Sequence, residues 1–495
     1  MKITLINLLQ NLDNRSIVIP FIKNDQLDEQ IATALRSWNV DVTCSSQDFK
    51  AETKEICTLF LNEKKIYLLG IGSESTFSNY LNAFRFFSFK YGERIQNSLV
   101  IDTQYIDFES SISESIFNGL VLGAYQLGLY KTDEKKKNVF TSQSDIDIQV
   151  LTKAPSTQFS DLQKAALEGV DVADTQLRIY DMVNAPGNIM TSESMAQWAR
   201  DSAEKYNFTV KLLNKEQLDK EGLNALLAVN RGSEYPAFLI IGEYQHPDWK
   251  VGMPHISLVG KGVTFDTGGV SIKESTNMHF MKSDMAGAAA ALGAIEAAAK
   301  LKLPIKVNCV VAATDNLVDR YSMKPGDVIT AYNGKTIEII DTDAEGRLVL
   351  ADALAYTVKN HHPNIVIDLA TLTGSCVATF GYHAGGLFSN NDSLAADLEA
   401  VGTKSGERIW RLPIWDLYKE DLKSDVADVR NYSGRPVAGA ITAAKFLEVF
   451  IEGHSAWAHL DIAGMSFAAS EYCSQRCATA FGVRLLIEYM KLQSK

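Results

Sequence analysis

Three short segments between Lys261 and Leu348, KGVTFDTGG at 261–269, MKSDM at 281–285 and DTDAEGRL at 341–348, bring together Lys261 and the carboxylates Asp266, Asp284, Asp343 and Glu345. Groups so far apart in sequence can meet only where several loops converge at one end of a sheet. The surrounding pattern predicts such a sheet. His255–Val259, Ile305–Ala313, Thr336–Ile340 and Ile365–Leu369 read as buried strands, and Met285–Lys300 and Leu348–Val358 as helices. That alternation implies a mixed or largely parallel sheet with helices on both faces, whose ligand sites lie at strand carboxyl ends. Lys261 and Asp266 are expected just after the first of these strands, and Asp343 and Glu345 after the third.

A chain of 495 residues exceeds one ordinary core, so two domains are expected. The fold class is α/β, with a smaller N-terminal α/β domain over 1–155, a connector helix over 156–185 and a larger catalytic domain over 186–495. In the first domain Ile17–Phe21, Lys65–Gly70, Leu99–Asp102 and Ile146–Leu151 read as strands, and Asp28–Trp38 and Ser113–Tyr130 as helices. Ile3–Leu9 resembles a first strand more than a signal peptide. Gly70-Ile71-Gly72 reads as a strand-to-helix turn, and the charge cluster Lys131–Lys137 as a solvated loop. No run is long and apolar enough for a membrane span, and six scattered cysteines suggest a reducing, cytoplasmic compartment. Cys473 and Cys477 have the spacing of one helix face. A net charge of -12 argues against a broad nucleic-acid surface.

The gathered residue types suit metal chemistry. Two divalent cations carry four positive charges, and Asp266, Asp284, Asp343 and Glu345 supply four negative ones. Bridging carboxylates can hold two metals about 3.5 to 4 Å apart, sharing a water of lowered pKa. Adjacent dications and burial both depress a lysine pKa, which lets Lys261 donate a nitrogen lone pair. An oxygen-rich set without histidine tolerates zinc, manganese, magnesium or cobalt. Lys273 is placed to polarise a carbonyl, and Arg347 to hold a small anion such as bicarbonate for proton transfer. Any one of these carboxylates alone would be read as a cap or turn residue. The metal reading rests on all of them occurring together.

The same segments resemble the cytosolic leucine aminopeptidase family, whose octapeptide NTDAEGRL stands here as DTDAEGRL. VGKGVTFDTGG at 259–269, ATLTGSC at 370–376, WRLP at 410–413, GAITAAKFL at 439–447 and WAHLDIAG at 457–464 extend the likeness. It implies Lys261, Asp266, Asp284, Asp343 and Glu345 as metal ligands, with Asp266 and Glu345 bridging, and Lys273 and Arg347 as catalytic residues. Substrate contacts are implied at Lys273, Asp266, Asp284 and Asp343, with Met281, Thr371, Leu372, Gly374 and the region of Ala463 forming an apolar pocket. The implied activity is release of N-terminal leucine and other apolar residues from peptides by a homohexamer. A cysteinylglycine-type dipeptidase and a DNA-binding architectural protein are the rival readings. Asp341, His279 and Ala286 depart from the family pattern without removing a ligand. Asp341 is read as a turn residue.

Overall fold

Short β-branched runs and intervening helices build the first unit, Met1–Leu177. The chain is described from a computed structural model, over residues 1–8, 15–40, 44–45, 47–61, 64–133 and 137–494. Leu9 and the centre of the 131–137 charge cluster lie outside these residues. The strands are β1 (Lys2–Ile6), β2 (Ser16–Ile22), β3 (Ile56–Leu61), β4 (Lys64–Gly72), β5 (Ser98–Asp102) and β6 (Asp147–Leu151). They form one sheet in the order β1-β6-β5-β2-β4-β3, parallel except for β3 against β4. Its helices are α1 (Leu27–Ser37), α2 (Phe77–Tyr91) and α3 (Ser110–Gly123). The expected helix over Ser113–Tyr130 thus ends early, and Gly128 at φ 125° helps turn the chain beyond it. Gly70 and Gly72 lie inside β4, not in a turn after it. A long helix, α4 (Phe159–Asn184), runs across the division between the units.

The second unit, Arg178–Lys495, opens with α5 (Ser192–Tyr206), β7 (Thr209–Leu213), α6 (Lys215–Glu221), α7 (Asn224–Asn230) and β8 (Phe238–Gln245). Then come β9 (His255–Asp266), α8 (Ala286–Lys300), β10 (Lys306–Asn316), β11 (Val328–Thr330), β12 (Thr336–Glu338), α9 (Gly346–His361) and β13 (Ile365–Ala370). The chain continues through α10 (Gly374–Phe380), β14 (Gly385–Ser389), α11 (Asp392–Ser405), β15 (Ile409–Arg411), β16 (Val429–Arg430) and α12 (Gly439–Leu447). It finishes with β17 (Trp457–Asp461), β18 (Phe467–Ala468), β19 (Cys477–Ala478) and α13 (Val483–Gln493). Eight strands form a mixed sheet, β15-β14-β17-β13-β9-β10-β8-β7, whose central four, β17-β13-β9-β10, are parallel.

Two further expectations need correction. Thr336–Glu338 does not join the large sheet; it pairs with β11 and β16 in a separate three-stranded sheet. A three-residue strand with acidic and polar ends buries too little to sit at the centre of a parallel sheet. Cys473 and Cys477 share no helix, because Cys477 lies in β19, which pairs with β18 as a short antiparallel ladder.

The faces of β9 alternate as a strand requires. Val259 and Val263 join the cluster containing Leu348, Val349 and Leu350 of α9, whereas Gly260 turns toward α8. α8 lies very close to the sheet. A Cβ on Gly287 would stand 2.1 Å from the Leu369 carbonyl oxygen, and a Cβ on Gly260 2.5 Å from the Ala288 Cα. The alanine-rich run from Ala286 is therefore a packed helix, made of small residues because the backbones approach so nearly. On the other face Asp352 of α9 is fully buried and accepts from the backbone N–H groups of Ala225 (2.8 Å), Leu226 (3.0 Å) and Tyr332 (2.8 Å). It ties the first turn of α7 and the β11–β12 connection to α9. Replacing Asp352 with alanine strands these buried donors and should cost about 2 to 4 kcal/mol, read by chemical denaturation. A loss under about 0.5 kcal/mol would refute this role.

Candidate active site

Lys261 and Asp266 lie within β9 rather than after it. The β-branched Val263 and Thr264 prolong the strand; β10 stays in register as far as Thr314 opposite Val263, and a one-residue shift then sets Asn316 opposite Asp266. Lys261 occupies the α9 side of the sheet, where the α9 N-terminus presents Glu345 and Gly346. Its Nζ lies 2.8 Å from Asp284 Oδ2, 2.8 Å from Glu345 Oε1 and 3.0 Å from the Thr371 carbonyl oxygen. Passage of this side chain depends on Gly346, where a Cβ would stand 2.5 Å from Lys261 Nζ. Lys273 Nζ reaches Asp266 Oδ2 at 2.6 Å and also pairs closely with Asp343 Oδ1. Thr371 Oγ1 donates to Asp284 Oδ1 at 2.8 Å. One cleft of ≈ 790 Å³ is lined by all seven charged residues singled out in the sequence and by Met281, Thr371, Leu372, Gly374 and Ala463.

Burial makes this cluster costly. Lys261, Asp266, Asp284 and Glu345 are all buried, while Asp343 is the outermost carboxylate. Four carboxylates face the two ammonium groups of Lys261 and Lys273, so negative charge is in excess. Burial works to lower the Lys261 pKa, yet Asp284, Glu345 and Asp266 outweigh it and push it upward. The same opposition raises Lys273, chiefly through Asp266. Burial, with Glu345 and Asp266 nearby, pushes Asp284 up against the pull of Lys261. Asp343 is raised to about 7 by burial and by Asp266. Arg347, at the start of α9, is lowered to about 10 by burial.

Several positioning residues were not identified from sequence. Asn316 Nδ2 donates to Asp266 Oδ1 at 2.8 Å and to the Thr342 carbonyl at 3.1 Å. Asn431 binds the loop before α9 from both sides. It accepts from Ile340 N at 2.8 Å, donates to the Asp341 carbonyl at 2.6 Å, and its own carbonyl accepts from Arg347 Nη1 at 2.7 Å. Asp461 accepts from Leu372 N and Thr373 Oγ1, fixing the loop that carries Thr371. Asn316 had a signal, as the last of three polar residues, Thr314-Asp315-Asn316, that close an apolar strand. Asn431, in a polar loop, had none. Asp341 Oδ1 accepts from Asp343 N at 2.9 Å, so it does turn the chain.

The donor set fits a divalent cation. Oxygens of Asp266, Asp343 and Glu345 lie within 4.8 Å of one another. Glu345 Oε2 is buried without a hydrogen-bond partner, whereas Glu345 Oε1 and Asp284 Oδ2 face the Lys261 ammonium at 2.8 Å. An acceptor left unpaired in a protein interior calls for positive charge.

Fold and site together define an α/β metal-dependent hydrolase. The chain belongs to the cytosol aminopeptidase family, whose catalytic-domain model matches residues 178–487, and it is therefore a metal-dependent aminopeptidase. A probable cytosol aminopeptidase of Chlorobium phaeobacteroides is 40% identical and covers 98% of each chain. One from Geobacter sp. (strain M21) is 42% identical over 77% of this chain and 75% of its own. Among solved structures, the bottromycin maturation enzyme BotP in complex with Mn superposes with a TM-score of 0.83 at 29% identity, covering 97% of this chain and 100% of that one.

A cation held by Lys261 and Asp343 would need a neutral amine and an ionised carboxyl, so the metal-free protein would hold more protons. Affinity must then rise with pH. Titration calorimetry in buffers of differing ionisation enthalpy should register at least one proton released per chain at pH 8, and more below about pH 7, where Asp343 is still protonated. Proton-neutral binding across this range would rule the arrangement out. Gly346→Ala should displace Lys261 and weaken manganese binding about tenfold or more while the fold persists by circular dichroism; unchanged affinity would contradict the close approach.

Proposed function

We propose that the chain releases N-terminal residues from peptides, preferentially leucine and other apolar ones, using two divalent cations held by Lys261, Asp266, Asp284, Asp343 and Glu345. The observation that carries the reading is the convergence of these five groups in a single cleft, four of them buried, with Glu345 Oε2 left without a hydrogen-bond partner. Zinc or manganese suits the set, and magnesium or cobalt is also compatible. When bound, such cations supply an activated water and polarise the scissile carbonyl.

The chain's own groups divide the remaining work. Lys273, held protonated by Asp266 and Asp343, directs an ammonium into the cleft, where it stabilises negative charge developing on the carbonyl oxygen. Arg347 is buried, its Nε lacks a hydrogen-bond partner, and its guanidinium lines the cleft. It suits a small anion such as bicarbonate, which would carry the proton from nucleophile to leaving amine. Asp266, Asp284 and Asp343 also face the substrate's free amine. Met281, Thr371, Leu372 and Gly374 receive the first side chain.

The same reading extends to a cytoplasmic homohexamer. No helix among the described residues is long and apolar enough to cross a membrane, and a net charge of -12 disfavours duplex DNA as a partner. The direct test is hydrolysis of leucine anilide by metal-stripped protein with each cation restored, beside Glu345→Ala. Restored activity in the parent and a loss of at least about a thousandfold in the variant are expected. Folded protein inert with every cation would refute the proposal.

A further inference from the structure

The outer part of the cleft differs in chemistry from the apolar pocket expected for the first side chain. Its wall is the short ladder of β18 and β19, which brings Ser466, Phe467 and Arg476 to the cleft lining. Arg476 is half-buried. Its Nη2 donates to the Tyr382 hydroxyl at 2.8 Å, and its guanidinium lies 4.9 Å from the Tyr382 ring centroid and 5.8 Å from that of Phe280. Phe280 in turn packs on Phe467 at 5.6 Å. Among the described residues, no carboxylate forms an ion pair with Arg476. A guanidinium carries five N–H donors, and Tyr382 takes only one of them. Every other cation lining the cleft is engaged in the site or paired, Arg435 with Asp421 at 2.9 Å.

Two aromatic rings hold the Arg476 plane, and this preorganises it for planar, bidentate recognition of a carboxylate. A second group supports a polar outer wall. Ser466 is only 3% exposed, and its Oγ has no hydrogen-bond partner. Tyr382 helps fix the position of Arg476. Gly374 opens α10 close to Thr371, Tyr382 stands just past the other end of that helix, and Gly374, Tyr382 and Arg476 all line the one cleft. An apolar stem could therefore lie against Met281 and Gly374 while its charged end reached Arg476.

We infer that Arg476, held by Tyr382 and Phe280, is a specificity residue that reads a carboxylate on the substrate. The inference rests on the aminopeptidase reading and names a substrate class for it. Two parts of a peptide can supply this carboxylate: an acidic first side chain, or the C-terminus of a short peptide.

The test compares kcat/KM for the parent, Arg476→Lys and Arg476→Gln on four substrates with manganese present. Glutamate anilide against leucine anilide reports the side-chain source. Leucylglycine against leucylglycinamide reports the C-terminal source. A carboxylate-to-neutral ratio that falls about tenfold or more in Arg476→Gln, through KM, is expected for one of the two pairs, with partial recovery in Arg476→Lys. The pair that responds identifies the source. Equal losses on all four substrates would mean a packing role only and overturn the inference, as would ratios changed less than about twofold. A parent active on leucine anilide isolates that failure to Arg476, whereas a parent inert on every substrate overturns the aminopeptidase reading with it.

Discussion

Mutual neutralisation of buried charge is the constraint on which the second unit depends. Asp266, Asp284 and Glu345 stand almost out of solvent around Lys261, and no isolated one of them could remain ionised there. The ammonium groups of Lys261 and Lys273 offset part of this charge, and the carboxylates, which repel one another, leave negative charge in excess that a bound cation would offset. A polar network holds the cluster in place. Asn316 donates to Asp266 Oδ1 and to the Thr342 carbonyl, and Thr342 and Asn431 hold the backbone of the loops that carry the acidic groups.

The same constraint shapes the scaffold. Charged groups from β9, from Asp284 just past the 3-10 turn at Met278–Ser283 and from the loop before α9 meet in one cleft. Close approach of backbones makes this possible. Glycines at 260, 287 and 346 occupy the points where a side chain would hold the elements apart. An alanine-rich α8 follows from this geometry rather than from any demand of its own. Stability and function are therefore joined here, since the residues that let helices sit on the sheet also admit Lys261 to the cluster.

Much of this was legible in the chain. The α/β class follows from alternating strand and helix patterns, and the charged residues of the cleft from three segments whose composition has no ordinary structural explanation. Asp341 was read as a turn residue, and it is one. The strand over Thr336–Ile340 was assigned to the wrong sheet, because apolar content within a short run does not reveal which partner it pairs with. Lys261 was placed one element too late, because a lysine inside an apolar strand looks like its end until a buried counter-charge is known.

Sequence alone determined which chemical groups are available and that they belong together, because a lysine, four carboxylates and two further cations in this order suit one kind of chemistry. It also determined the secondary structure that carries them, through local periodicity. Only the tertiary structure decided which groups touch. Long-range pairing sets the register of β9 against β10, the path of Lys261 over Gly346, the grip of Asn431 on the ligand loop and the place of Arg476 in the cleft wall. These depend on contacts between residues tens to hundreds of positions apart, whose energies belong to the pair and to its burial and are absent from either residue alone.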